Sequence, residues 1–238
     1  MKTKISIFIM AISLLFGVTA ALAQGTQAYF KKNGATVFQS PISDIDSIVF
    51  KQTTNPDVCQ SFDNPQGVVI NGVRWATRNV GAPGTFASSP CDYGEYYQFN
   101  KGTTDFLLFD DYNNSVYANS DSWFPANDPS PSGWRVPTND DIQKLTDTNY
   151  VTYEWIDNNG IIGSKFTDKA TGNSIFLPAT GHRGDSNGAL YHVGDYGCYW
   201  SSTISYSSYV YYLNSGKDAN DLVYDNRPNG FSIRPVAE

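Results

Sequence analysis

Residues 132–145, S-G-W-R-V-P-T-N-D-D-I-Q-K-L, contain the one well-signalled helix start in a chain otherwise built of strands and turns. Pro137 cannot donate to a strand ladder, and its ring pushes Val136 toward extended backbone. Thr138 is then placed as N-cap, its hydroxyl accepting an orphan amide of the first turn. Asp141 lies three residues on, where its carboxylate can return the bond as in a capping box. Asp140 beside it faces the positive end of the helix. Ile142 and Leu145 are spaced to face a core, and Trp134 is expected to tie the incoming strand to it. The stretch carries no reactive group, so it constrains the fold and not the chemistry.

Around it the signals are those of strands. Asn71-Gly72 separates Val68-Val69-Ile70 from Val73-Arg74-Trp75, and a dipeptide that tolerates positive φ at both positions marks a tight hairpin. Further strands are predicted over 94–100, 150–155, 163–166, 174–177, 197–201, 206–213, 221–224 and 231–235. Residues 81–90 read as a Gly-, Pro- and Ser-rich loop. Residues 101–131 are Asn, Asp, Ser and Tyr with three prolines and little period; so long a stretch without regular structure is usually functional or mobile. Near the N-terminus, Asn33-Gly34 joins 28–32 to 35–38, and 44–50 alternate apolar and polar. Residues 24–51 are therefore expected to form a small β unit, 52–58 a linker, and 59–238 the main domain. The class predicted is α+β, mostly antiparallel β with one or two helices, preceded by a small N-terminal hairpin unit.

Lys2 and Lys4, an apolar run from Ile5 to Val18, and Ala21-Leu22-Ala23 read as a secretory signal peptide over residues 1–23, cut before Gln24. The run is shorter than a membrane-spanning helix, and no later segment is apolar enough to span, so no transmembrane segment is expected. The expected location is exported: periplasmic, cell-surface or extracellular. A formal charge of −7 lacks the basic face that nucleic acid or anionic lipid needs. Sixteen Tyr among few charges suit a surface that meets neutral polar partners such as glycans.

The segment W-R-V-P-T with its acidic turn resembles a signature of the Fibrobacter succinogenes major paralogous (FISUMP) domain. Further blocks match in the same order: I-N-G-V-R-W-A-T-R-N-V-G (70–81), Y-G-E-Y-Y-Q-F-N (93–100), I-F-L-P-A-T-G-H-R (175–183), Y-W-S-S-T (199–203) and G-F-S-I-R-P-V (230–236). Residues 28–50 resemble a short N-terminal segment of exported Bacteroidota proteins. The main resemblance covers roughly 67–237 and implies a C-type-lectin-like fold, related to the formylglycine-generating enzymes. It also implies ligand contacts from long loops of the C-terminal half, here 101–131, 182–192 and 214–229. The family often places a cysteine just ahead of its G-W-R-V-P-T block, where this chain has Ser130. Three pairings of Cys59, Cys91 and Cys198 are open to an exported chain, and Cys91 with Cys198 is the one expected. The cysteines that the related enzymes use near their C-terminal core have no counterpart in 226–234, which disfavours oxidase chemistry. The Glu-Pro-Asn and Trp-Asn-Asp triplets of sugar-binding C-type lectins are absent too.

Other chemistries find little support. His182 and His192 are too few for a three-histidine metal site. No Gly-x-Ser-x-Gly elbow occurs, no basic residue flanks a cysteine to activate it, and Glu95 and Glu154 cannot be placed across a cleft. Arg183-Gly184-Asp185 spells an integrin-binding tripeptide, a match short enough to arise by chance. Oxygen ligands for a structural calcium are offered by Asp218, Asn220, Asp221 and Asp225; no other cofactor is expected. Aromatics crowd the C-terminal span, and period-two spacing puts Tyr209 and Tyr211 on one strand face with Tyr212 on the other. Tyr191, His192, Arg183, Tyr209 and Tyr211 are the expected ligand-binding residues. The expected function is a non-catalytic exported domain binding a glycan or an extracellular protein; the alternatives are a structural subunit of a surface assembly and, after it, an enzyme of the formylglycine-generating-like group.

Overall fold

The computed structural model describes residues 20–24, 27–32 and 35–41 as backbone strands, and residues 56–238 apart from 119, 159–160, 207–208 and 219. Two compact units, Met1–Gln52 and Thr53–Glu238, divide the chain. In the first, β1 (Ala20–Gln24), β2 (Gln27–Lys32) and β3 (Ala35–Pro41) form an antiparallel sheet in that order. β2 and β3 pair as the Asn33-Gly34 signal predicts. That turn, the alternating segment 44–50 and the apolar run 5–18 lie outside the described residues. The third strand of the sheet is β1, which carries Ala21-Leu22-Ala23; a cut before Gln24 would leave only Gln24 of it.

The second unit runs through α1 (Pro56–Ser61), β4 (Val68–Ile70), β5 (Val73–Trp75), β6 (Tyr97–Gln98), α2 (Phe109–Asn113), β7 (Trp134–Arg135) and α3 (Asn139–Thr146). It continues with β8 (Val151–Asn158), β9 (Ile161–Asp168), β10 (Ser174–Pro178), β11 (His182–Arg183), β12 (Leu190–Tyr191) and β13 (Tyr196–Tyr206). β14 (Tyr209–Gly216), β15 (Asn220–Asn226), β16 (Gly230–Phe231) and β17 (Val236–Ala237) close it. Its sheets are ordered β4-β5-β17-β7, β10-β9-β8, β12-β11-β16-β6 and β13-β14-β15. Among the described residues every strand pair is antiparallel, and parallel pairing occurs only as the bridges Gly181 to Gly197 and Tyr199 to Ser232. The class is α+β, mostly antiparallel β with short helices. Pro56 opens α1, so a helix takes residues that composition reads as linker.

Local chemistry forms the elements the sequence signals. Thr138 accepts from Asp141 N at 3.2 Å, and Asp141 Oδ2 accepts from Thr138 N at 2.9 Å, closing the capping box of α3. The same carboxylate takes the Arg135 guanidinium at 2.8 Å. Hydrogen bonding from Arg135 and Thr138 outweighs burial and holds the Asp141 carboxyl below its usual range. The β4–β5 turn places Asn71 at φ 45 and Gly72 at φ 79, the positive-φ pair its dipeptide allows. The predicted strands over 94–100 and 231–235 shrink to β6 and β16. Ile233 O and Pro235 O instead accept single bonds from Val80 N and Ala76 N.

Two hydrophobic clusters flank the β13–β15 sheet. Tyr199 and Leu213 join Ile142, Leu145, Trp75 and Phe166 on one side. Cys198, Trp200 and Val210 join Tyr97, Phe99 and Phe231 on the other. Trp134 belongs to neither, which corrects the anchor expected of it. β7 is the edge strand of its sheet, and the half-buried indole packs edge-on against Phe86 with centroids 5.7 Å apart.

The expected Cys91–Cys198 bridge is also corrected. α1 brings Cys59 to Cys91, with Cα atoms 5.5 Å apart, and the two are bonded. Cys198 is a free thiol on β13, its side chain committed to the second cluster. The bridge closes a loop of sequence separation 32, and loop-closure entropy for that length is about 3–4 kcal/mol. Cys59→Ser is therefore expected to lower unfolding free energy by about that amount in urea titrations. Thiol labelling of denatured, non-reduced protein should modify Cys198 alone; labelling of Cys59 would contradict the pairing.

Candidate functional site

The small sheet β12-β11-β16-β6 supports the surface on which most expected ligand-binding residues meet. Gly181 precedes β11 at φ 61, and a Cβ there would strike Tyr191 O, so only glycine allows the two segments to close. Across the β11–β12 hairpin, His182 faces Tyr191 and Arg183 faces Leu190. The His182 ring stacks on both Tyr191 and His192, each with centroids 5.7 Å away, and its edge meets Phe231 at 5.8 Å. Tyr196 meets His192 edge-on at 5.7 Å. Asn187 Nδ2 donates to the Tyr191 hydroxyl at 2.8 Å. Tyr191, His192 and Tyr196 are exposed. His192 sits at φ 57, a left-handed backbone that a non-glycine residue occupies at some cost.

The long loop folds onto this sheet and does so through buried cations. Lys101, 2% exposed, pairs with Asp105 at 2.6 Å and donates to Thr103 Oγ1 and Asp105 O. Arg227 Nη1 donates to Ala118 O at 2.7 Å and Ser120 O at 2.8 Å, with its guanidinium over the Phe99 ring. Gln98 binds Leu107 through both ends of its amide, at 2.7 and 2.8 Å. Phe109 N donates to Asp185 O at 2.9 Å. Phe106 thereby comes under the Arg183 guanidinium, 5.6 Å from its centre, with Tyr96 at 6.0 Å, while Leu108 and Phe109 stay exposed.

Burial sets the protonation states. It lowers the pKa of His182, helped by the nearby His192, while Asp225 and Asp185 oppose it more weakly. It raises the pKa of the Asp225 carboxyl and pushes the Cys198 thiol up to about 12. The imidazole of His182 is thus neutral at physiological pH, one nitrogen donating and the other accepting.

The structure brings Arg183, Tyr191 and His192 together; Tyr209 and Tyr211 do not join them. β14 belongs to a different sheet, where Tyr209 packs with Tyr206 and Tyr224 at 5.0 and 5.6 Å, and Tyr211 lies opposite Tyr224. Tyr212 turns to the other face, against Phe231 at 4.5 Å, as strand alternation requires. Of the expected calcium ligands, two stand well apart. Asp221 and Asp225 lie four residues apart on extended β15, about 13 Å at the rise of a strand. Asp218 is exposed, and Asn220 Oδ1 bonds to the Ser215 hydroxyl. Among the described residues, no group of three or more His, Cys, Asp or Glu gathers to hold a metal. Sequence reasoning placed His182 and Phe106 only within candidate segments and missed Tyr196. Gly184, Asn187 and Gly188 between two apolar–polar pairs were the available hairpin signal. The Arg183-Gly184-Asp185 tripeptide is built into that hairpin, with Asp185 N bonded to Asn229 Oδ1 at 3.0 Å.

Two stability effects follow. A folded-state His182 pKa below the unfolded value near 6.5 means that the unfolded chain takes the proton first, so stability falls as pH drops through about 6.5. Asp225, with its pKa raised, acts oppositely at lower pH, adding stability as pH falls toward its unfolded value. Urea midpoints measured from pH 7.5 to 5 should therefore decline, and His182→Asn should flatten the decline.

No protein-family model, curated protein or solved structure matches this chain, which leaves the chemistry of the surface itself to indicate function.

Proposed function

We propose that residues 59–238 form a C-type-lectin-like, non-catalytic binding domain of an exported protein, and that it recognises a glycan at the cell envelope or surface. The observation that carries this reading is the stack of the exposed Tyr191 and His192 rings on half-buried His182, flanked by Tyr196 and Arg183. Aromatic faces pack against the C–H faces of sugar rings, while neutral imidazole, guanidinium and Tyr hydroxyl groups pair with sugar hydroxyls. His182, Arg183 and Tyr191 stand on paired strands braced by the loop, so little ordering is left for the ligand to impose. The strain at His192 fits a residue retained for contact, not for stability.

One feature supports a non-catalytic role: the sole free cysteine among the described residues is a buried thiol, not a thiolate. Among the described residues no helix is long and apolar enough to cross a membrane. The exposed aliphatic side chains of Leu190, Val193 and Leu108 favour one second reading, a protein partner on the same surface.

A glycan array probed with the mature protein and with Tyr191→Ala tests the proposal. Tyr191 is 41% exposed, so the variant should fold and lose at least tenfold in affinity, about 1.4 kcal/mol. EDTA should leave binding unchanged, because the ring surface needs no cation. An absence of array hits, or hits indifferent to Tyr191→Ala, would sink the glycan reading. Deleting residues 24–55 should spare binding; loss of higher-order assembly instead would favour the structural-subunit alternative.

A further inference from the structure

A cleft of about 210 Å³ opens elsewhere on the second unit, lined by Asp63, Asn64, Thr77, Arg78, Phe86 and Trp134 among others. Trp134 is the largest of these side chains and packs in neither hydrophobic cluster. Its indole and the Phe86 ring, at 81° to each other, make an apolar corner. Facing it are polar groups fixed by one another. Arg78 Nε donates to Asp63 Oδ1 at 2.8 Å and Nη2 pairs with Oδ2, a two-bond fork. The Thr77 hydroxyl bonds to both N and O of Asn64 at 3.1 Å. Every lining residue except Trp134 lies between Cys59 and Cys91, so the disulfide closes the segment that forms the walls. The cleft is thus held in shape by a covalent bond and by paired charges before any ligand arrives.

The pairing decides which chemistry fits. Asp63 is committed to Arg78 and its side chain is 6% exposed, so a free cation finds no open carboxylate. Arg78 is neutralised by the same bond, so a free anion finds little uncompensated charge. A wholly apolar ligand would cover the exposed Asn64 amide and the 32%-exposed Arg78 guanidinium without replacing the water they lose. A neutral ring with one C–H face and several hydroxyls suits both walls: rings on one side, guanidinium, amide and hydroxyl on the other. The volume is below that of drug-sized sites, which fixes the ligand at one ring. We propose that this cleft is a second binding site, independent of the His182–Tyr191 surface, that takes a single pyranose ring, either free or at the end of a chain.

The test is nitrogen-labelled indole NMR of the oxidised protein, with the Trp134 signal assigned through Trp134→Phe. Methyl glycosides of glucose, galactose, mannose and N-acetylglucosamine are titrated singly, then as matching oligosaccharides to separate a free ring from a chain end. At least one glycoside is expected to shift the Trp134 indole saturably, with a Kd in the millimolar range or tighter. Arg78→Met should weaken that binding at least tenfold while leaving the other indole signals where they stand in the wild type. If Arg78→Met fails to fold, Asn64→Ala, at an exposed loop position, serves as the second variant with the same expected direction. The proposal is overturned if no glycoside moves the Trp134 signal, or if the shift persists unchanged in the folded variant. It is also overturned if inorganic phosphate or acetate moves the signal more strongly than any glycoside.

Discussion

The second unit depends on a guanidinium held in its interior. Arg234 is fully buried; its Nε donates to Asn79 Oδ1 at 2.7 Å and its Nη1 to Ala76 O at 3.3 Å. Among the described residues no carboxylate pairs with it, and burial brings its pKa down to about 10, so the charge persists at neutral pH. An ion without a counter-ion is costly to bury unless dipoles surround it, and these dipoles come from the β5 exit. The surrounding segment, residues 230–237, stitches the unit together. Gly230 and Phe231 pair with β6, Ser232 bridges Tyr199, Ile233 and Pro235 accept bonds from Val80 and Ala76, and Val236 pairs with both β5 and β7. One short strap thus touches three of the unit's sheets, and Arg234 locks its middle.

Buried cations recur under the long loop: Arg227 donates to carbonyls, and Lys101 to a carbonyl, a hydroxyl and the Asp105 carboxylate. Lys101 and Arg227 convert a polar, proline-containing stretch into a packed layer by supplying donors to carbonyl groups at Asp105, Ala118 and Ser120. Without those donors the loop would have to bury acceptors unpaired, which is why such stretches ordinarily stay on the outside. Packed in this way, the loop seats Phe106 beneath Arg183 and completes the ring surface. Fold and candidate site therefore rest on one physical solution, hydrogen-bonded charge in the interior.

Much of the local structure was legible in the residues. Thr138 and Asp141 announce a capping box because both partners lie within one turn. Asn71-Gly72 announces its hairpin because both turn positions need positive φ. The alternation of Tyr209, Tyr211 and Tyr212 follows from the strand itself. The candidate site was legible only in part: Arg183, Tyr191 and His192 were chosen for their chemistry. Their meeting depends on Gly181 permitting a contact with Tyr191 that no local pattern describes.

What the sequence determined by itself is therefore what neighbours within a few residues decide: caps, tight turns, strand faces and the α+β class they imply. The tertiary structure alone decided that Cys59 meets Cys91 while Cys198 enters the core. It also left Trp134 at a sheet edge beside a cleft, separated Tyr209 from Tyr191, and spread the acids of β15 along an extended strand. The physical reason is range. Backbone propensities and capping bonds act over one turn or one hairpin and leave their mark in adjacent letters. Disulfide proximity, edge position and convergence of rings arise from packing of distant segments, and adjacent letters carry no record of that packing.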